Sequence, residues 1–201
     1  ASAGNEPDGS GKYIAAMFRE PAIAEAIMNL LYKRDGLILG ICNGFQALIR
    51  LGLVPYGEIT DFNENSPALT RNTIGRHVST MSRIKVVSNK SPWLNNVKCN
   101  SEFRVPVSCS EGRLVAPETE IIKLSDNGQI ATQYIDFSGN VTMESPYNPS
   151  GSVNGIEGLL SPDGRVFGKM GHSERIDNNL YINLPDDYDM KIFESGVGYY
   201  K

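Results

Sequence analysis

The sequence predicts an α/β fold, built on an open, mostly parallel sheet with flanking helices and extended by antiparallel hairpins. Three observations support this prediction. The apolar run at residues 37–41 is typical of a buried strand, and it passes directly into a segment with helical spacing of apolar residues. Residues 23–31 carry a second helical stripe. From Met81 onward, short apolar runs alternate with turn signals, which indicates antiparallel strands.

Length and composition favour a single domain of ordinary type. The chain has 201 residues, and its net charge of −4 comes without a basic patch, so we expect no nucleic-acid partner. No apolar run is long enough to span a bilayer and no leader is evident, so we expect no membrane partner and a cytoplasmic location. Three widely spaced cysteines form neither a disulfide framework nor a metal cluster, which favours a reducing compartment.

The first half of the chain is predicted to contain few regular elements outside the strand at 37–41 and its neighbouring helices. Residues 1–12 are small, polar and rich in glycine, so they predict a loop. The stripe at 23–31 predicts a helix, with Pro21 near its start and Gly36 just beyond its end. Residues 53–70 predict a second loop. His77 lies among polar residues with no acid or nucleophile in a recognisable pattern, so we assign it no catalytic role.

Strands and turns are predicted for most of the second half. The strands fall at residues 84–87, 104–107 and 113–115, and the lone Trp93 between the first two is interpreted as a packing anchor. The turn signal at 125–128 lies between two apolar runs and predicts a hairpin, as does the signal at 161–164. A short helix is predicted around residues 190–194.

The passage from strand to helix at Cys42 predicts a nucleophile elbow. Gly40 and Gly44 lack the side chains that would obstruct a sharp corner, and Gly52 can end the helix with positive φ. A thiol at this position faces the unpaired N–H groups of a helix N-terminus, which stabilise a thiolate, and the N–H of Asn43 points where an oxyanion forms. The residues alone leave open a small buried cysteine without function.

A partner for this thiol is found in the segment that contains His172 and Glu174. Histidine can take the proton of a thiol and return it to a leaving amine. In an extended segment, residues two positions apart share a face, so Glu174 can orient the ring. The residues by themselves also allow a solvated loop that carries both side chains by chance.

Residues 40–46 and 171–175 together resemble the class I (triad) glutamine amidotransferases, and more narrowly the glutaminase domains of phosphoribosylformylglycinamidine synthases. Residues 133–136, 147–152, 156–158 and 161–165 resemble the same family in the same order, so the resemblance covers nearly the whole chain. It implies a flavodoxin-like fold. It also implies that residues 1–201 are a glutaminase domain, a C-terminal fragment of a larger synthase whose N-terminal strands are missing.

The resemblance implies a role for each residue that matches a motif. Cys42 would attack the side-chain amide of glutamine and form a glutamyl thioester, His172 would act as base and then acid, and Glu174 would orient the ring. Three further residues would lie beside the bound glutamine: Asn43, Gly44 and Gln46. No metal or cofactor is implied for this domain.

The implied enzyme is the glutamine-hydrolysing part of an ATP-dependent carbon–nitrogen ligase of purine biosynthesis. Its ammonia would pass to a synthetase domain, expected in the same polypeptide, where ATP and Mg²⁺ activate formylglycinamide ribonucleotide. Cys109 stands where the family carries a histidine, and the glycine pair that offers a second oxyanion donor would precede residue 1. We therefore expect the isolated fragment to be weakly active or inactive. Two alternatives are another cysteine hydrolase of this fold and a domain that only docks against the synthetase.

Overall fold

The computed structural model describes residues 10–177, 180–184 and 187–201. The helices in these ranges are α1 Ser10–Phe18, α2 Pro21–Tyr32, α3 Asn43–Leu51, α4 Leu53–Tyr56, α5 Glu118–Asp126 and α6 Ile192–Gly198. The strands are β1 Ile38–Ile41, β2 Ala68–Thr70, β3 Val78–Val86, β4 Glu102–Cys109, β5 Arg113–Val115, β6 Ile130–Tyr134, β7 Ile156–Leu160 and β8 Val166–Lys169.

A six-stranded sheet in the order β1-β8-β7-β6-β3-β4 forms the centre of the fold, and β2 and β5 make a separate antiparallel pair. The α/β class, the parallel pairing of the elbow strand and the antiparallel extension are all confirmed. Among the described residues, however, the sheet is mixed, because β1 and β8 form one parallel pair against four antiparallel pairs. Short reversing connections such as residues 161–165 force antiparallel pairing, whereas a parallel pair needs a long crossover.

The helix that precedes the elbow strand has the predicted ends. Pro21 lies in its first turn, and the side chain of Glu20 accepts hydrogen bonds from the first free N–H groups. Beyond its last turn, the N–H of Gly36 donates to Leu30 O at 2.8 Å. The next helix, α3, ends as predicted at Gly52, which has a φ of +82°.

Two predicted loops contain short regular elements. Helix α1 begins at Ser10, so the predicted loop does not extend through residue 12, while residues 1–9 lie outside the described part of the chain. The predicted loop at 53–70 contains α4 at its start and β2 at its end. Helix α4 and strand β2, with four and three residues, are too short for a hydrophobic period to reveal them in the sequence. Helix α1 has nine residues and packs against α3.

The predicted hairpin at residues 125–128 is wrong, because a helix, α5, leads into this turn. Glu118 and Glu120 favour its N-terminus, and Ile121 and Leu124 are buried at helical spacing while Ile122 is exposed. The hairpin at 161–164 is confirmed by the antiparallel pairing of β7 and β8. A C-terminal helix is also present, slightly later than predicted, at Ile192–Gly198.

Helix α3 lies in the core and carries the elbow. It packs on β1 and β8, and a Cβ on Gly168 of β8 would clash with the buried ring of Phe45. Trp93 has the predicted anchoring role, since its indole N–H donates to Ile38 O at 3.1 Å and its ring lies against Gly196 of α6. None of the helices in the described ranges combines the length and the apolar run needed to cross a membrane.

Candidate active site

Cys42 occupies a strained corner between β1 and α3. Its φ of 55° and ψ of −109° lie outside the regions that side-chain-bearing residues favour. Its N–H donates to Lys169 O at 2.8 Å, and its own carbonyl accepts from the N–H of Gln46 at 3.1 Å. Hydrogen bonds on both sides therefore hold the strained residue between the strand and the helix. The predicted strand-to-helix corner is present.

Only one of the two flanking glycines is needed to close this corner. A Cβ on Gly40 would lie 2.5 Å from Leu48 Cδ1 and 2.7 Å from the carbonyl carbon of Gly44. A Cβ on Gly44 would meet nothing within 4 Å. The expectation that both glycines serve the corner is therefore corrected for Gly44, where a Cβ would lie in open space.

Alanine substitutions at these two glycines are expected to have opposite effects on stability. Gly40→Ala forces a methyl group into the backbone of Gly44 and lowers the free energy of unfolding by about 1–3 kcal/mol. Gly44→Ala places alanine in a helix with space around it and leaves this free energy unchanged or raises it by up to about 1 kcal/mol. Urea unfolding measures both variants. Equal destabilisation by the two substitutions would contradict the assignment.

The Cys42 thiol is buried, and burial controls its protonation. Its Sγ lies 3.6 Å from Ser108 O and 3.8 Å from Asn43 Oδ1, and its single S–H can be donated to either oxygen. Burial raises the pKa of Cys42, the Asn43 N–H and the charge of Arg175 lower it, and the net pKa is above the ordinary value. The expected thiolate at the helix N-terminus is therefore corrected: the resting group is a neutral thiol, which needs a base before it can attack a carbonyl carbon.

His172 and Glu174 are in contact as the sequence predicts, but the segment is not extended: it turns, and the Arg175 N–H donates to His172 O at 3.1 Å. His172 Nδ1 lies 2.6 Å from Glu174 Oε1, and the His172 ring is buried. Burial acts to raise the pKa of Glu174, but the hydrogen bond to His172 and a backbone hydrogen bond hold that pKa below its usual value. Glu174 is therefore a carboxylate at neutral pH, able to stabilise a charged imidazole.

Arg175 fixes the tautomer of the His172 ring. Its Nη2 lies 3.3 Å from His172 Nε2, and a guanidinium can only donate hydrogen bonds. Nε2 must therefore be the acceptor, and Nδ1 must carry the proton that is donated to Glu174. This tautomer leaves the lone pair on Nε2, which is the arrangement that a general base requires.

The Cys42 thiol and the His172 imidazole lie on the same side of the site but form no hydrogen bond with each other in the described part of the chain. Cys42 Sγ lies 3.6 Å from Ser108 O, and the His172 N–H donates to Pro106 O at 2.8 Å, so both residues contact β4 two positions apart. The thiol faces the Ser108 carbonyl, and His172 Nε2 accepts from Arg175 instead. Catalytic hydrogen bonds of this kind often tighten only when substrate is bound. Proton transfer therefore requires the thiol to replace Arg175 at Nε2.

Gln46 lies beside the elbow with one polar atom unused. The side chain is buried, its Nε2 donates to Glu111 O at 2.7 Å, and its Oε1 has no hydrogen-bond partner in the described part of the chain. A buried acceptor without a partner costs free energy, so a ligand that supplies an N–H group would compensate. Asn43 and Gly44, the other residues predicted near the substrate, lie in the first turn of the same helix.

Sequence reasoning missed the side chain that holds the segment opposite the elbow. Asn72 is buried, its Nδ2 donates to Cys109 O at 2.8 Å, and its Oδ1 accepts from Gly112 N at 2.9 Å. No local pattern in the sequence marks Asn72. Cys109 itself is buried, and burial raises its pKa to about 12, so this thiol stays protonated.

His77 is closer to the site than its sequence context suggests. The side chain is exposed, and its Nε2 lies 3.2 Å from Ser108 Oγ while its Nδ1 lies 3.4 Å from Ser110 Oγ. Ser108 is also the residue whose carbonyl can accept the S–H of Cys42. As for metals, the described ranges contain no group of three or more His, Cys, Asp or Glu side chains placed to hold an ion.

Comparison with known proteins identifies relatives along most of the chain. Residues 1–200 match the family described as CobB/CobQ-like glutamine amidotransferase domain. The chain is 34% identical over 172 residues to phosphoribosylformylglycinamidine synthase subunit PurQ of Aquifex aeolicus, which covers 85% of this chain and 70% of that protein. It is 36% identical over 158 residues to the subunit of the same name from Chlorobaculum tepidum, covering 79% of this chain and 61% of that protein.

A solved structure shows the same fold. The structure of PurLQS from Thermotoga maritima superimposes with a TM-score of 0.67 at 29% identity, covering 93% of this chain and 72% of that chain. The chain thus spans 61% and 70% of the length of the two relatives described above.

Proposed function

Because the chain belongs to the family of CobB/CobQ-like glutamine amidotransferase domains and has PurQ subunits among its relatives, we propose that it hydrolyses glutamine. The ammonia released would serve the synthesis of phosphoribosylformylglycinamidine in purine biosynthesis. The observation that carries this proposal is the combination of a neutral Cys42 thiol on a strained elbow with a His172 imidazole whose Nε2 is a hydrogen-bond acceptor, occupied by Arg175 until the thiol replaces it.

The proposed reaction begins with proton transfer from Cys42 Sγ to His172 Nε2. The thiolate attacks the side-chain amide carbon of glutamine, and the negative charge moves to the amide oxygen, where the Asn43 N–H can donate a hydrogen bond. When the tetrahedral intermediate collapses, the C–N bond breaks, and the imidazolium gives its proton to the leaving nitrogen, so that ammonia departs. The carboxylate of Glu174 stabilises the imidazolium throughout.

The second half of the reaction removes the glutamyl group. A water molecule gives a proton to His172 Nε2 as its oxygen attacks the thioester carbon. The C–S bond breaks, the proton returns to Cys42 Sγ, and glutamate leaves. We propose that Gln46 Oε1, together with Asn43 and Gly44, forms part of the glutamine site, because this buried oxygen can accept a hydrogen bond from an N–H group of the substrate.

We propose a synthetase partner that consumes the ammonia. One structure to which this chain is similar is of PurLQS, and its PurQ relatives are named as subunits of a synthase. In this proposal, residues 1–201 are the glutaminase domain of an ATP-dependent, cytoplasmic carbon–nitrogen ligase, and the synthetase part, with its ATP and Mg²⁺, belongs to the same polypeptide.

An assay of ammonia and glutamate release separates this function from its two alternatives. With free glutamine, and with a synthetase partner present, we expect equal amounts of the two products. Cleavage of peptide bonds in a glutamine-containing peptide, without turnover of free glutamine, would instead identify a cysteine peptidase. Failure to hydrolyse free glutamine even with the partner and its substrates present would identify a docking domain.

A further inference from the structure

A buried ion pair, which the proposed mechanism does not use, lies beneath the segment that carries His172. The side chains of Glu157 on β7 and Lys169 on β8 are fully buried, and Lys169 Nζ lies 3.1 Å from Glu157 Oε1. Moving two charges out of water costs about as much as their attraction returns, so such a pair is weak evidence for stability. The contacts of the two side chains indicate what else the pair does.

All three protons of the Lys169 ammonium have acceptors. Besides the carboxylate, Nζ donates to Gly171 O at 2.8 Å and to Ser173 Oγ at 2.9 Å. Gly171 and Ser173 are the residues on either side of His172. The Lys169 ammonium therefore forms a hydrogen bond to each neighbour of His172.

The Glu157 carboxylate holds the same segment through its backbone. Its Oε1 accepts the N–H of Gly171 at 2.5 Å, and its Oε2 accepts the hydroxyl of Thr132 at 2.5 Å. A Cβ on Gly171 would lie 2.9 Å from Glu157 Oε1 and 2.5 Å from Val105 Cγ2. Glycine at this position is therefore what allows the peptide group to come so close to the carboxylate.

Lys169 also contacts the elbow. Its carbonyl accepts the N–H of Cys42 at 2.8 Å, on the parallel edge between β1 and β8. One residue thus fixes the corner of the thiol through its main chain and the two neighbours of the imidazole through its side chain. A shift of this side chain would therefore act on both neighbours of His172.

We infer that Lys169 and Glu157 are positioning residues, which hold the His172 ring where it can take the proton of the Cys42 thiol. The inference rests on the proposed function in that it takes His172 to be the base for Cys42. Neither residue touches the reacting atoms, so both act through the segment at residues 171–173.

The test uses the double variant Glu157→Gln/Lys169→Met in the full chain. This variant removes both charges together and keeps an acceptor oxygen for the Gly171 N–H, so that no buried charge is left unpaired. We expect kcat for glutamine hydrolysis to fall by about 10²-fold with little change in KM, because a misplaced base affects the reaction step more than binding. The cooperative unfolding transition should remain.

A second readout does not need glutamine. Alkylation of Cys42 by iodoacetamide, followed at different pH values, reports the ionisation of the thiol by His172. We expect the double variant to show the profile of His172→Ala, with the rate rising only at alkaline pH. If the wild type fails to hydrolyse glutamine but this change in profile is seen, the positioning role stands while the proposed function fails.

The matched control breaks an ion pair in the same sheet that lies away from the elbow. Arg83 Nη2 and Glu102 Oε2 are 2.7 Å apart on β3 and β4, and Arg83→Met should leave kcat and the alkylation profile unchanged. A double variant with wild-type kcat and profile would overturn the inference. Loss of cooperative unfolding in the double variant would also overturn it, since the ion pair would then serve folding rather than the position of His172.

Discussion

The Cys42→Ala variant is expected to lose glutamine hydrolysis almost completely, with kcat lowered by at least about 10⁴-fold. The elbow places this one sulfur at the N-terminus of α3, beside the His172 segment. Cys109 cannot replace it, because this buried thiol lies on β4 rather than at the elbow, with its Sγ 4.0 Å from Asn72 Oδ1, and burial raises its pKa to about 12. Ammonia release under saturating glutamine, with the synthetase partner present, measures the effect, and circular dichroism checks the fold.

Cys99 provides the matched control for this prediction. Its side chain is exposed, and Cys99→Ala removes a thiol without creating a cavity in the core. We expect this variant to hydrolyse glutamine at the wild-type rate. If Cys42→Ala retained turnover within tenfold of wild type, the thioester mechanism would be wrong for this chain.

The His172→Ala variant is expected to show the second-largest loss, by about 10³-fold or more in kcat at neutral pH. The reason is the protonation state of the nucleophile. Burial holds the pKa of Cys42 above its ordinary value of 9.0, so little thiolate exists at pH 7 without a base. In the variant, only hydroxide can ionise the thiol, and the residual rate should rise with pH beyond 9. The wild-type rate should reach its plateau at lower pH.

His77→Ala is the matched control, since the chain has two histidines and this one is exposed. Its pH–rate profile should follow that of the wild type. The measurement is the rate of Cys42 alkylation by iodoacetamide as a function of pH. Identical profiles for His172→Ala and the wild type would show that His172 does not act on the thiol.

The parts of this site that the sequence predicts are those with local signals. The strand, the corner at Cys42 and the helix after it follow from apolar spacing and from Gly40, all within a few residues. The contact between His172 and Glu174 is also local, but it arises from a turn at residues 172–175, where the Arg175 N–H donates to His172 O at 3.1 Å, and not from the extended segment that the sequence predicts. Local geometry determines these features, so no knowledge of the rest of the fold is needed.

The parts that the sequence does not predict depend on distant residues. Burial outweighs the helix N-terminus in setting the pKa of Cys42, and that burial arises partly from β4, which brings Ser108 over the thiol. The pairing of Glu157 with Lys169 requires the register of β7 and β8. Arg175 lies within a recognisable motif, but its contact with Nε2 rather than with solvent depends on how residues 172–175 turn.

Strand direction and helix α5 show a second limit of prediction from the sequence, which is that one local signal fits two structures. A turn signal such as Asp-Asn-Gly ends a helix as readily as it joins two strands, so the two glutamates and the spacing of Ile121 and Leu124 were the deciding features. Similarly, an apolar run in the sequence predicts only that both faces of the strand are covered. Whether its neighbours run parallel is decided by the length of the connections between strands.

The central claim, that Cys42 is a nucleophile served by His172 in a glutamine site, is tested most directly by mass spectrometry after exposure to a glutamine-like diazo-ketone. We predict a single covalent label on Cys42, slower labelling in His172→Ala, and protection by free glutamine. A label on a different residue, or labelling that persists unchanged in Cys42→Ala, would contradict the claim.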